Sequence, residues 1–212
     1  MSKKVLGVLV SGRGSNLQSI FDAIQAGRLD AKIGLVLSDN PAAQALKRIA
    51  GSGIPTAVVQ RPVYNSKQEF EQALIRELEA HHVDLVVLAG FMRILSPGFV
   101  NAFSGRIMNI HPSLLPSFPG LDPQEQALRH GVKVSGCTVH FVDEGTDSGP
   151  IILQEAVPVL DNDTAETLAA RILHAEHVLY PRAISLYCSG KLLVEGRRVK
   201  IAAAEKEDEH EN

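Results

Sequence analysis

Cysteine is scarce. Cys137 and Cys188 are the only two in 212 residues, which argues against a disulfide framework and excludes a cysteine-rich metal site. Both read as buried, reduced thiols, the usual state of free cysteine. An excess of either charge is also lacking: 21 Lys and Arg stand against 24 Asp and Glu, a formal net charge of −3. That balance argues against a general nucleic-acid or membrane-surface binder and leaves room for a local basic pocket. No apolar run approaches the length of a membrane span. Lys3-Lys4 ahead of residues 5–10 superficially suggests a signal peptide, but the run is too short and Arg13 falls where a cleavage region belongs. A cytoplasmic protein is expected. Internal repeats are missing, as are linkers rich enough to divide domains. With 45% hydrophobic and 21% charged residues, the chain suits one domain with a substantial core. We expect residues 1–204 to form that domain and the acidic, polar stretch 205–212 to be a disordered tail.

What is present is an alternation of two periodicities. Residues 5–10 are continuously apolar, as a strand buried on both faces requires. Ser11-Gly12-Arg13-Gly14-Ser15-Asn16 breaks the run, after which Leu17, Ile20, Phe21 and Ile24 recur at helical spacing and Gly27 supplies a stop. Further strands are expected at 33–37, 56–59, 84–89 and 106–110. Helices are expected at 42–50, from the capping-box pattern Ser66-Lys67-Gln68-Glu69 to about 81, and after Ser96-Pro97. This order implies an α/β fold, a Rossmann-like, mostly parallel sheet flanked by helices. Beyond residue 132 the pattern changes. Segments 134–143 and 151–159 read as strands joined by a Gly-rich loop, so antiparallel pairing is expected there. Asp163-Thr164-Ala165-Glu166 caps a long helix to about 188, and 191–200 reads as a terminal hairpin or strand.

The most informative segment is Asn109-Ile110-His111-Pro112-Ser113-Leu114-Leu115-Pro116. Residues two apart on a strand project from one face, so Asn109 and His111 are expected side by side. The prolines stop regular structure immediately after them. That places both side chains at a strand's C-terminal end, where open α/β sheets carry their sites. Asp147 lies between two further strands, in Asp143-Glu144-Gly145-Thr146-Asp147-Ser148-Gly149-Pro150. Amide, imidazole and carboxylate together can stabilise an oxyanion and move a proton. His140 reads as a buried, hydrogen-bonded residue supporting them.

Gly12, Gly14, Ser15 and Asn16 sit where the first strand turns into the first helix, and helix-start amides favour an anion. Leu17 stands where a dinucleotide fingerprint needs its third Gly, and Asp39 comes late for a ribose partner. No Gly-Lys-Ser/Thr follows, so a single phosphate monoester fits best. Residues 90–95, Gly-Phe-Met-Arg-Ile-Leu, keep apolar side chains in a connecting loop. Either an apolar slot for a flat ligand or core packing beneath the loop explains them. The histidines are scattered, with no His-Glu-x-x-His, so no metal is expected.

These motifs, with Asp147-x-Gly149-Pro150 and Ala175-Glu176-His177 ahead of Tyr180-Pro181, resemble the folate-dependent formyltransferases. Within them the chain is most similar to the one-domain phosphoribosylglycinamide formyltransferases, from Val8 to about Gly190. The resemblance implies formyl transfer from the co-substrate 10-formyltetrahydrofolate to the amine of glycinamide ribonucleotide, a step of purine biosynthesis. It implies Asn109, His111 and Asp147 as catalytic residues, and Gly12, Gly14, Ser15, Asn16 and Glu176 at the ribonucleotide. It also implies Lys67, Met92, Arg93, Ile94, Leu95 and Asn109 at the folate. Lys67 replaces an Arg of a relative, losing the planar fork. Asp122-Pro123-Gln124-Glu125 replaces a His-bearing stretch. The implied partners are small molecules, with neither nucleic acid nor membrane, in a monomer or homodimer. Formyltetrahydrofolate hydrolase, methionyl-tRNA formyltransferase and a non-catalytic nucleotide-binding module remain as alternatives.

Overall fold

A computed structural model describes residues 2–202, so the expected tail at 205–212 lies outside the described residues. Strand β1 (Lys4–Val10) begins a nine-stranded sheet whose spatial order is β3-β2-β1-β4-β5-β6-β7-β9-β8. β2 (Ala31–Ser38), β3 (Thr56–Val58), β4 (Leu85–Leu88) and β5 (Ile107–His111) join β1 in a parallel block. β6 (Val134–Phe141) and β7 (Ile151–Pro158) then pair antiparallel, as the change of pattern beyond residue 132 predicts. The terminal hairpin, β8 (Leu192–Glu195) and β9 (Arg198–Ile201), adds the far edge, with β9 parallel to β7.

Alternating side chains of the parallel strands enter two cores. Leu6, Val8, Val10, Leu85, Val87 and Met108 face α1 (Ser15–Gln25), α5 (Pro123–His130) and α6 (Ala165–Cys188). Leu9, Leu35, Leu37, Val86, Leu88 and Ile107 face α3 (Lys67–Ala80) and α4 (Pro97–Ala102). Burial on both faces is why these strands read as unbroken apolar runs. The remaining helix, α2 (Gln44–Arg48), is shorter than the expected 42–50. The chain order reverses across β1, with β2 on one side and β4 on the other. The crevice between the C-terminal ends of β1 and β4 is therefore the topological switch point where such sheets hold ligands. Cys137 is buried as expected and Cys188 only half-buried; both are unpaired, and partial or full burial pushes their thiols up to about 12 and about 11. No helix among the described residues is long and apolar enough to cross a membrane.

Candidate active site

Strand β5 ends at the expected motif. Asn109 is half-buried between buried Met108 and Ile110, and His111 is buried at the strand's end. The period of two puts Asn109 and His111 on one face. Antiparallel register sets His140 of β6 directly opposite Asn109. His140 Nδ1 lies 2.9 Å from the Phe141 carbonyl, which can only accept, so Nδ1 carries the proton. Its Nε2 is then the acceptor for Asn109 Nδ2, 3.3 Å away. Burial pushes the His140 imidazole below its ordinary range, consistent with a neutral ring in that role. One amide hydrogen of Asn109 is thereby fixed, and the other, with Oδ1, is left for a ligand.

His111 stands between two acceptors. Nε2 lies 2.9 Å from the Phe118 carbonyl and Nδ1 lies 3.3 Å from Asp147 Oδ2. Only a doubly protonated ring donates to both, so this geometry suits an imidazolium. The Pro-rich turn after β5 makes the first contact possible. Ser113 Oγ donates to Ser117 O at 2.6 Å, and Thr138 Oγ1 donates to Ser113 O at 2.7 Å while accepting from Leu115 N at 3.0 Å. Folded on itself in this way, the turn swings the Phe118 carbonyl back over His111.

Asp147 reaches the cluster from the β6–β7 loop. Its Oδ2 accepts from Gly120 N at 2.9 Å, and its Oδ1 lies 3.7 Å from His140 Nε2. The backbone of Asp147 is left-handed, with φ 51°, a conformation that costs a non-Gly residue stability and persists only when its surroundings hold it. Two residues on, a Cβ on Gly149 would lie 1.8 Å from the Phe141 carbonyl, so only glycine permits the loop to close against β6. The three side chains expected to act together are thus gathered, and His140 joins them as a fourth. A buried, hydrogen-bonded support is the expected role of His140; the strand register decides that its partner is Asn109.

The Gly-rich turn lies at the end of β1. Gly14, at φ 71°, precedes α1 with no side-chain cap, which leaves the helix-start amides to other partners. A Cβ on Gly14 would meet Ala45 Cβ at 2.5 Å and Cα at 2.6 Å, so α2 closes tightly on the turn. Asn16 is buried and its Nδ2 donates to Glu176 Oε2 at 2.8 Å, tying α1 to α6. Burial raises the Glu176 carboxyl above its ordinary range. Asn16 Oδ1 is enclosed without a protein partner among the described residues. Arg48 Nε donates to the Arg13 carbonyl at 2.6 Å, holding a cation beside the turn. Because β1 and β5 flank β4, the turn and the Asn109 cluster stand two strand spacings apart, about 10 Å.

Residues 90–95 divide between the core and the surface. Phe91 and Leu95 are buried in the core under α3 and α4, whereas Met92 and Ile94 are 77% and 72% exposed. Leu95 is therefore core packing, and Met92 and Ile94 form the outward apolar rim. Arg93 pairs with Asp39 and lies 5.5 Å from the Phe70 ring centroid. Asp39 is the end-of-β2 residue that would hold a dinucleotide's ribose, and here it is committed to a guanidinium. Lys67 opens α3 half-exposed, 3.8 Å from Glu71. Asp122-Pro123-Gln124-Glu125, read as a departure within a loop, begins α5, with Asp122 left-handed at φ 52°. Among the described residues no group of three or more His, Cys, Asp or Glu side chains is arranged to hold a metal.

The family model described as Formyl transferase matches residues 3–184. The chain belongs to the formyl transferase family. Its relatives include the trifunctional purine biosynthetic protein adenosine-3 of Homo sapiens, 47% identical over 97% of this chain and 20% of that protein. Another is the phosphoribosylglycinamide formyltransferase of Escherichia coli, 44% identical over 87% of each chain. Thus the chain spans only 14% to 20% of the trifunctional relatives' length. Among solved structures, glycinamide ribonucleotide transformylase 1 from Symbiobacterium toebii superimposes with a TM-score of 0.93 at 51% identity, covering 95% of both chains. This formyl transferase family member also has the sheet of those structures, mostly parallel with an antiparallel C-terminal part.

Proposed function

We propose that the protein transfers a formyl group from 10-formyltetrahydrofolate to the amine of glycinamide ribonucleotide, giving formylglycinamide ribonucleotide for purine biosynthesis. The observation that carries this reading is the convergence of Asn109, His111 and Asp147 at the end of β5. Relatives named for that activity support it. Residues 1–204 would act as one formyltransferase domain on small molecules, without a metal.

In this reading the ribonucleotide phosphate sits on the amides of Gly12, Gly14, Ser15 and Asn16, and Glu176 meets the same substrate. The folate rests on the outward rim of Met92 and Ile94, with Arg93 and Lys67 around it, while Leu95 supports that rim from the core. The amine nitrogen attacks the formyl carbon, and the carbonyl pair moves onto oxygen. The free amide hydrogen of Asn109 donates to that oxyanion, while a protonated His111 supplies positive charge beside it. In the described conformation both His111 nitrogens already face protein acceptors. Its contribution is therefore chiefly charge until one of those bonds opens. Asp147 holds the imidazolium and relays the amine's proton toward the departing folate nitrogen. As the carbon–folate nitrogen bond breaks, that nitrogen takes the proton, and tetrahydrofolate leaves. Steady-state assays with and without the ribonucleotide test the reading. Tetrahydrofolate release that requires the ribonucleotide supports it. Release at the same rate without it would assign a hydrolase, and no release at all would assign a binding module.

A further inference from the structure

The turn after β1 and the loop after β4 belong to different proposed ligands, yet one residue fastens them together. Ser11 N donates to the Gly90 carbonyl at 3.0 Å, tying the end of β1 to the loop after β4. Ser11 Oγ accepts from the Met92 amide at 3.0 Å. Its carbonyl accepts from Asn40 Nδ2 at 3.2 Å, anchoring it to the end of β2. The next residue, Gly12, accepts from Ala45 N at 3.0 Å through its carbonyl, so α2 steadies the same turn. Beyond Met92, Arg93 pairs with Asp39, also at the end of β2. The rim residues Met92 and Ile94 thus stand on a loop without regular secondary structure, held by polar bonds from its neighbours.

We propose that Ser11 is a positioning residue that makes binding of the ribonucleotide and of the folate cooperative. The inference rests on the two-ligand reading above. A phosphate on the amides of residues 12–16 orders the turn that contains Ser11. Through the bond from the Met92 amide to Ser11 Oγ the same ordering reaches the folate rim, so the second ligand meets a loop already held. By linkage the effect is reciprocal: each ligand tightens the other by one factor. One side-chain hydrogen bond at a partly exposed position sets its size at about two- to tenfold.

The test is calorimetry with tetrahydrofolate, which has no formyl group to transfer, titrated with and without saturating glycinamide ribonucleotide. In the wild-type protein the ribonucleotide should tighten tetrahydrofolate about two- to tenfold. In Ser11→Ala that ratio should fall close to one, while each ligand alone binds nearly as before; Ser11→Thr, which keeps the hydroxyl, should retain the ratio. As a second measurement, the ribonucleotide alone should slow amide exchange across residues 90–95 of the wild-type protein. A wild-type ratio of one, an unchanged ratio in Ser11→Ala, or no slowing across 90–95 overturns this proposal alone. Failure of the wild-type protein to bind either ligand overturns the functional reading and this proposal with it.

Discussion

Replacing Gly14 by alanine perturbs the turn in two separable ways. Its φ of 71° is left-handed, which costs an L-residue about 1–2 kcal/mol. The new Cβ would also stand 2.5 Å and 2.6 Å from Ala45 Cβ and Cα, and the second of these is backbone of α2 that cannot rotate away. Relieving that overlap by shifting α2 costs a further ~1–3 kcal/mol, by analogy with overpacked cores. A total of roughly 2–5 kcal/mol corresponds to a fall in Tm of about 4–20 °C for a chain of this size. Gly27→Ala provides the control, because Gly27 has nearly the same φ, 69°, and nothing within 4 Å of a built Cβ. Its loss isolates the backbone cost, and the difference between the two variants reports the overlap. Since the shift moves the amides at the start of α1, KM for glycinamide ribonucleotide should rise at least about tenfold in Gly14→Ala. It should stay unchanged in Gly27→Ala. Thermal unfolding by circular dichroism and steady-state kinetics measure both effects. Equal Tm losses in the two variants, or an unchanged KM in Gly14→Ala, would refute the reasoning.

Asn109→Ala should lower kcat by about 10²–10³, as for other lost oxyanion donors, with much smaller changes in KM. His111→Ala and Asp147→Asn should each reduce kcat at least as far, and Asn109→Ala with His111→Ala should fall short of the product of the singles. Near-normal kcat in a folded His111→Ala would sink the mechanism. Glu176→Gln should become more stable relative to wild type as pH rises. Burial raises the folded pKa of Glu176 above its ordinary value of 4.5, so its stabilising contribution is complete below that value and is lost as pH climbs through the raised one. Tm differences taken between about pH 4 and about pH 8 check this, and a pH-independent difference would contradict it. Arg197→Ala removes the 2.8 Å bond from Nη2 to the Ser148 carbonyl, beside Asp147, and should lower kcat about two- to tenfold with KM unchanged. An unaltered kcat would show that the terminal hairpin does not brace that loop.

The unbroken apolar runs in β1 and β4 announce strands buried on both faces, and they are. Ser66 and Ser96 cap their helices through Glu69 N and Phe99 N, as their patterns require. Asn109 and His111 share a face because a strand's period is two. These features are local, and local periodicity is what a sequence writes openly. Short elements escape that reading. α5 carries few apolar residues on a weak pattern, and its start follows a left-handed Asp122 that nothing in the chain foretells. The insertion of β9 between β7 and β8 is equally silent. The site itself depends on such non-local facts. His140 meets Asn109 only because β6 pairs with β5 in one particular register. Asp147 reaches His111 only because Gly149 lets its loop close on Phe141. Asp39 is withdrawn from any ribose because Arg93, 54 positions later, reaches it from the neighbouring loop. Sequence alone determined which residue types were at hand and on which face of which element; register and loop closure, which depend on contacts between distant segments, decided which of them meet.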